Sequence, residues 1–221
     1  MGGDKKYSLI LGSQSPRRKE LLSWMKVPFE IICSDVDENS EISDPREMVE
    51  AIALRKARAV FDLCTVKEGF GQTFFPLIVT ADTIVCLNKK VYGKPKDVND
   101  ARRMLLELSG KDHKVLTGVT ILAFNPETNK AKERTFSCGT HVVFDNITED
   151  ILENYLASGE SLDKAGSYGI QGQTLTFISH LEGSYSNVVG FPLSHFIEEL
   201  KVFLDYPHDE VGQWRKLFHH G

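Results

Sequence analysis

The chain has only four cysteines in 221 residues, with no C-x-x-C pair and no histidine beside them at metal-ligand spacing, which excludes both a zinc site and a disulfide framework. Cys33, Cys64, Cys86 and Cys138 read as reduced structural thiols. Long apolar runs are missing too: none approaches the about 18 residues a membrane span needs. The segment MGGDKKYSLIL lacks the apolar core of a signal peptide, and Lys6 stands where a myristoylation motif wants Ser or Thr. A cytoplasmic protein without membrane contact is expected. Positive charge is in deficit, 26 Lys and Arg against 31 Asp and Glu for a net charge of −5, so no nucleic-acid partner is expected. No G-x-x-x-x-G-K-[ST] occurs, which excludes a standard P-loop as a phosphate cradle. The seven histidines are scattered and form no His-x-x-x-His grouping.

What is present is an ordinary globular composition, 41% hydrophobic and 26% charged. A chain of this length buries roughly 70% of its unfolded surface without staples. One domain over residues 1–221 is expected, with a short tail from Asp205. Strands and helices alternate in the first half. Tyr7–Leu11 and Phe29–Cys33 read as strands, and Asp44-Pro45 caps a helix running to about Leu63. Leu77–Val79 and Ile84–Leu87 read as strand runs interrupted by Thr80–Thr83. After a short helix over 99–108, His113–Phe124 and Lys132–Phe144 flank a turn and form an antiparallel hairpin. Thr148 caps a further helix to Leu156, Leu175–Leu181 reads as a strand, 183–190 as a small-residue loop, and Pro192 opens a last helix. The tail residues Trp214, Leu217 and Phe218 cover either a partner or their own core. The pattern predicts an α/β fold, a mixed central β-sheet flanked by helices, with a cleft between two lobes.

The chemistry concentrates near the N-terminus. In LILGSQSPRRKELLSW a strand is broken by Gly12-Ser13, and Ser15-Pro16 starts a helix. That puts Arg17 and Arg18 in the first helical turn, where two cations oppose the helix dipole at a cost of roughly 0.3–1 kcal/mol each. An anion reverses the sign. Free backbone N–H groups, the Ser13 and Ser15 hydroxyls and two guanidiniums then converge on a polyphosphate. The alternative is a solvated surface pair. Lys56 falls on the apolar stripe Val49, Ile52, Ala53, Ala57 and Val60, so it either snorkels to the rim or points into the cleft. Asp82, between two hydrophobic runs, requires partners: either local amides, or a metal or attacking water that it holds. Lys94 in a Gly-Lys-Pro turn is a plain turn residue or a phosphate ligand. Asp35, Asp37 and Glu38 form an acidic loop, ordinarily just solvated. Gln171, in a glycine-rich segment, carries the donor and acceptor that reading a base edge requires.

Six ordered segments carry a resemblance: SQSPRR from Ser13, ADT from Ala81, GKP from Gly93, HKVLTGV from His113, DKAGSYGIQG from Asp163 and SYSNVVGFP from Ser184. In these the chain resembles the Maf family of nucleotide pyrophosphatases, whose fold is similar to that of the inosine triphosphatase family. The resemblance implies hydrolysis of a nucleoside triphosphate to the monophosphate and pyrophosphate, with a divalent metal, Mg²⁺ or Mn²⁺. It implies Asp82 as catalytic residue, Glu38 and Asp82 as metal ligands, and Ser13, Arg17, Arg18, Lys56, Thr83, Lys94 and Gln171 as substrate contacts, with His113 shaping the cleft. Arg17, Thr83 and Gln171 resemble the subfamily acting on dTTP and UTP, whereas the subfamily for methylated guanine triphosphates has Trp and an acid at the first two. A neutral pyrimidine suits a guanidinium, a hydroxyl and an amide; a cationic purine wants an indole and a carboxylate. The rival functions are a nucleotide sensor without turnover and a purine-specific enzyme. The family implies a monomer or homodimer.

Overall fold

The computed structural model describes residues 6–66, 71, 73–206 and 212–219. Its frame is a mixed sheet whose two halves follow from how the strands are connected. In the first half, β1 (Tyr7–Leu11), α1 (Pro16–Ser23), β2 (Phe29–Ile31), α2 (Pro45–Thr65) and β3 (Phe75–Leu87) alternate. Helical crossovers make β1 parallel to both β2 and β3. The short β4 (Lys90–Tyr92) turns back on β3, and α3 (Val98–Leu108) leads to β5 (Asp112–Asn125) and β6 (Lys130–Phe144), joined as the expected hairpin. Then come α4 (Glu149–Ala157), β7 (Ile178–Glu182), α5 (Tyr185–Val189) and α6 (Leu193–Phe203). The order across the sheet is β2-β1-β3-β5-β6-β7, with β4 beside β3. Among the described residues, seven strands and six helices realise the expected α/β fold with a mixed sheet.

Strand periodicity sorts the core. Ile10 and Ile78 face α2, where they pack with Ala57, Val60 and Cys64, while Leu9, Leu11, Leu77 and Val79 point to the opposite face with Leu21, Leu22 and Phe196. The α2 stripe is the one read from spacing. Its start is capped as expected, the Asp44 carboxylate accepting from the Arg46 and Glu47 amides at 2.9 and 3.0 Å. Gly118 on β5 is what lets α2 lie close: a Cβ there would sit 2.8 Å from the Glu50 nitrogen and against the Val49 carbonyl.

Several elements differ from expectation. The predicted break at Thr80–Thr83 does not exist; β3 runs unbroken through Asp82, paired with β5 on one side. The polar residues are tolerated there because Thr80 donates to the Ala53 carbonyl at 2.7 Å and Asp82 meets Lys56. Residues 172–176 form a 3₁₀ turn, so the strand expected from Leu175 starts at Ile178. The 183–190 segment is not a plain loop: Ser184 caps α5, its hydroxyl accepting from the Asn187 amide, and Gly190 closes that helix at φ 119°. β2 stops at Ile31, two residues early, and Thr148 stands at the N-cap of α4 without bonding a helix amide. Of the loop expected over 65–75, positions 67–70 and 72 lie outside the described residues. The tail resolves in favour of its own core, since Trp214 and Phe218 are buried and Phe218 bridges Tyr7 of β1. Among the described residues no helix is long and apolar enough to cross a membrane.

Candidate functional site

β1 ends at Leu11 while its neighbour β3 continues to Leu87, so beyond Gly12 one side of β3 lacks a strand partner until β4 joins it at Val85. Gly12 makes the last bond, its amide donating to the Val79 carbonyl at 2.8 Å. The space that follows is a cleft of about 900 Å³ outside the carboxyl end of β1, between the α1–α2 half and the 163–172 and 184–190 segments. Ser13, Arg17, Arg18, Glu38, Lys56, Asp82, Thr83, Lys94 and Gln171 all line it. Every site residue selected in the sequence is thus gathered around one cavity.

Asp82 and Thr83 are neighbours on β3 and point to opposite faces of the sheet. On the α2 face, Lys56 Nζ lies 2.7 Å from Asp82 Oδ1 and 2.7 Å from Glu38 Oε1. Lys56 therefore points into the cleft and does not snorkel to the outer rim. Burial raises the affinity of Glu38 for a proton, but hydrogen bonding and charge from Lys56, with the charges of Lys94 and Arg18, outweigh it and leave the carboxyl below its ordinary range. Asp37, beside it, accepts from the Asn39 amide at 2.9 Å and shapes the loop.

On the other face Arg18 is fixed by neutral acceptors. Its Nε donates to the Gly190 carbonyl at 2.8 Å, Nη1 to Ser13 Oγ at 3.2 Å and Nη2 to Thr83 Oγ1 at 3.0 Å. Among the described residues no carboxylate forms an ion pair with it. Burial lowers its pKa, opposed by the more distant charges of Asp82 and Glu38. Arg17 is different, donating to Asp163 at 2.9 Å. Ser15 caps α1, accepting from the Arg18 amide at 3.4 Å.

Asp163 was not among the residues selected in the sequence. Its carboxyl is pushed up by burial but held below the usual range by Lys164 and Arg17. Its signal in the sequence was its place at the head of the DKAGSYGIQG segment. His113 shapes the cleft indirectly, its Nε2 lying 2.6 Å from the hydroxyl of Tyr168, which lines the cavity. The 163–172 segment is tied to the Lys94 turn by the Gly166 amide, which donates to the Gly93 carbonyl at 3.0 Å.

Residues 8–203 match the Maf-like protein family. The chain belongs to that family. Among similar proteins, one from Bacillus cytotoxicus is 45% identical over 195 residues, covering 88% of this chain and 94% of its own length. A Bacillus cereus relative is 43% identical over 208 residues, 93% of this chain and 95% of that one. One from Bacillus anthracis is 45% identical over 202 residues, 90% and 98% of the two chains. All three relatives are named dTTP/UTP pyrophosphatase. The Maf-like match covers both halves of the sheet and every segment that lines the cleft.

Proposed function

We propose that this Maf-like chain is a nucleoside triphosphate pyrophosphatase acting on dTTP and UTP, working in the cytoplasm as a monomer or homodimer. The observation that carries the reading is Arg18: a guanidinium in the first turn of α1, bonded among the described residues to two hydroxyls and a carbonyl, faces a cleft large enough for a nucleotide. A positive charge held by neutral groups at a helix N-terminus is completed by an anion. Lys56 and Lys94 add cations on the far side, as a polyphosphate spanning the cleft requires.

Hydrolysis places water on the α phosphorus; the bond from that phosphorus to the α–β bridging oxygen breaks, and pyrophosphate leaves. Arg18, Lys56 and Lys94 stabilise the charge gathering on the leaving group. Ser13 orients Arg18. Asp82 takes the proton of the attacking water, and the neighbouring Lys56 holds its carboxylate in place.

The donor set fits a divalent cation. Glu38 and Asp82 are hard oxygen donors brought together at the cleft by their shared contact with Lys56 Nζ, and a cation would bind beside that ammonium. Among the described residues no cluster of three or more His, Cys, Asp or Glu side chains suits a metal, so triphosphate oxygens and water would complete the shell, as Mg²⁺ prefers. The cation, when bound, supplies neutralisation across adjacent phosphates.

For the base, we assign contact to Arg17 and Gln171, with Thr83 the third position at which the chain resembles the dTTP and UTP subfamily. Incubating the purified protein with each triphosphate and Mg²⁺ and assaying pyrophosphate against orthophosphate tests the reading. Pyrophosphate from dTTP and UTP, at the highest kcat/KM of the panel, is expected. Orthophosphate as first product would make the protein a phosphatase, and a purine triphosphate as best substrate would overturn the base assignment.

A further inference from the structure

Thr117 on β5 is the register partner of Thr83 on β3, and the two hydroxyls lie 3.0 Å apart. Thr117 is fully buried and does not line the cleft. The hydroxyl of Thr83 has one hydrogen and two lone pairs. Arg18 Nη2 occupies one lone pair at 3.0 Å. The hydrogen then has two destinations, Thr117 Oγ1 at 3.0 Å or the Gly190 carbonyl at 3.4 Å. In the first case Thr117 passes its own hydrogen to the Asn187 carbonyl at 3.2 Å; in the second Thr117 donates to Thr83 and fills its other lone pair. Either way the Thr83 hydrogen stays inside the protein, and reaching a base carbonyl would cost its bond to Thr117 or to the Gly190 carbonyl.

The same network fixes the other anchor of Arg18. The Asn187 side-chain amide donates to the Val115 carbonyl at 3.0 Å and to Thr140 Oγ1 at 3.0 Å, clamping α5 to β5 and β6. This sets where the Gly190 carbonyl meets Arg18 Nε. Of the five guanidinium N–H groups three are spent, leaving one on each terminal nitrogen, the fork that grips two oxygens of a phosphate.

We infer that Thr117 is a positioning residue for Arg18, acting through the Thr83 hydroxyl and α5, and that Thr83 serves phosphate binding by orienting Arg18 and does not touch the base. This rests on the proposed phosphate role of Arg18. The test is Thr117→Val, which keeps the shape and removes the hydroxyl, beside Thr117→Ser, which restores it. Loss of one such bond predicts about a five- to tenfold fall in kcat/KM for Thr117→Val, equal for dTTP, UTP and a purine triphosphate, with Thr117→Ser within about twofold of the parent. Exchange of the Arg18 Nε–H, followed by NMR in the unliganded protein, should quicken in Thr117→Val and not in Thr117→Ser. Parental kinetics and exchange in Thr117→Val, or a loss that differs between bases, overturns the inference. If the parent turns over no triphosphate, the functional reading fails, while the exchange rates still decide the anchor. Should Thr117→Val not fold, Thr117→Ala, which removes the hydroxyl without putting a methyl group among its polar partners, carries the same two readouts.

Discussion

The Lys56 ammonium and the Asp82 carboxylate meet at 2.7 Å, one from the inward stripe of α2 and the other from the middle of β3, both largely buried. Removing either partner leaves a charge in a place that disfavours it. Because Lys56 also holds Glu38 at 2.7 Å, the two acids of the cleft are aligned by a single ammonium.

Asp82→Asn keeps the size and hydrogen-bonding capacity of the side chain and removes its basicity. A fall in kcat of about 10²–10³-fold is expected, with the fold retained. Steady-state kinetics beside circular dichroism will show it; a well-folded variant with parental kcat would remove Asp82 from the chemistry.

Gln171 is exposed and lines the cleft. Gln171→Ala should narrow the ratio of kcat/KM for dTTP over ATP by about tenfold, the worth of about one to two base-edge hydrogen bonds. Inhibition by inorganic pyrophosphate should barely change. An unaltered ratio with weakened pyrophosphate inhibition would reassign Gln171 to phosphate.

His113 packs edge-on against Phe144 and Tyr168, with ring centroids 4.6 and 5.3 Å away. Burial is the main cause that lowers its pKa from 6.5 to about 4. The unfolded chain therefore binds a proton first as pH falls. Stability from this residue is full above pH 6.5 and is lost progressively down to about pH 4, by about 3 kcal/mol in all. Urea unfolding at pH 7, 6 and 5 should show that slope in the parent and a flatter one in His113→Gln. Parallel slopes would show that His113 is not the group responsible.

Gly118 lies opposite Asp82 in the β3–β5 register, under the backbone of α2. In Gly118→Ala the methyl group meets main-chain atoms of Val49 and Glu50, which cannot swing aside as a side-chain tip would. A loss of about 1–3 kcal/mol is expected, together with a displaced Lys56 and reduced kcat. Thermal unfolding indistinguishable from the parent would mean that α2 has room to shift.

Much of the site was legible because its signals are local. Ser15-Pro16 and Asp44-Pro45 announce helix starts within a few residues. The period of α2 places Lys56 inward, and Arg17 and Arg18 are conspicuous as cations in a first helical turn. Asp82 stood out as a charge within apolar strand runs. Yet the same charge suggested a break, and β3 has none, because its partner Lys56 comes from 26 positions earlier in the chain and cannot be seen from the strand itself.

The amino-acid sequence by itself determined most of the longer helices and strands, the capping of α1 and α2, the apolar stripes and the identity of the charged groups, since each depends on dihedral preference and periodicity over a few residues. Only the tertiary structure decided that Arg17 meets Asp163, 146 positions away, that Thr83 is bonded to Thr117 and Arg18, and that the tail buries Phe218 beside β1. Those pairings depend on the strand order and on where β1 stops short of β3. The chain path sets both, and no local preference encodes the partner at the other end of the path.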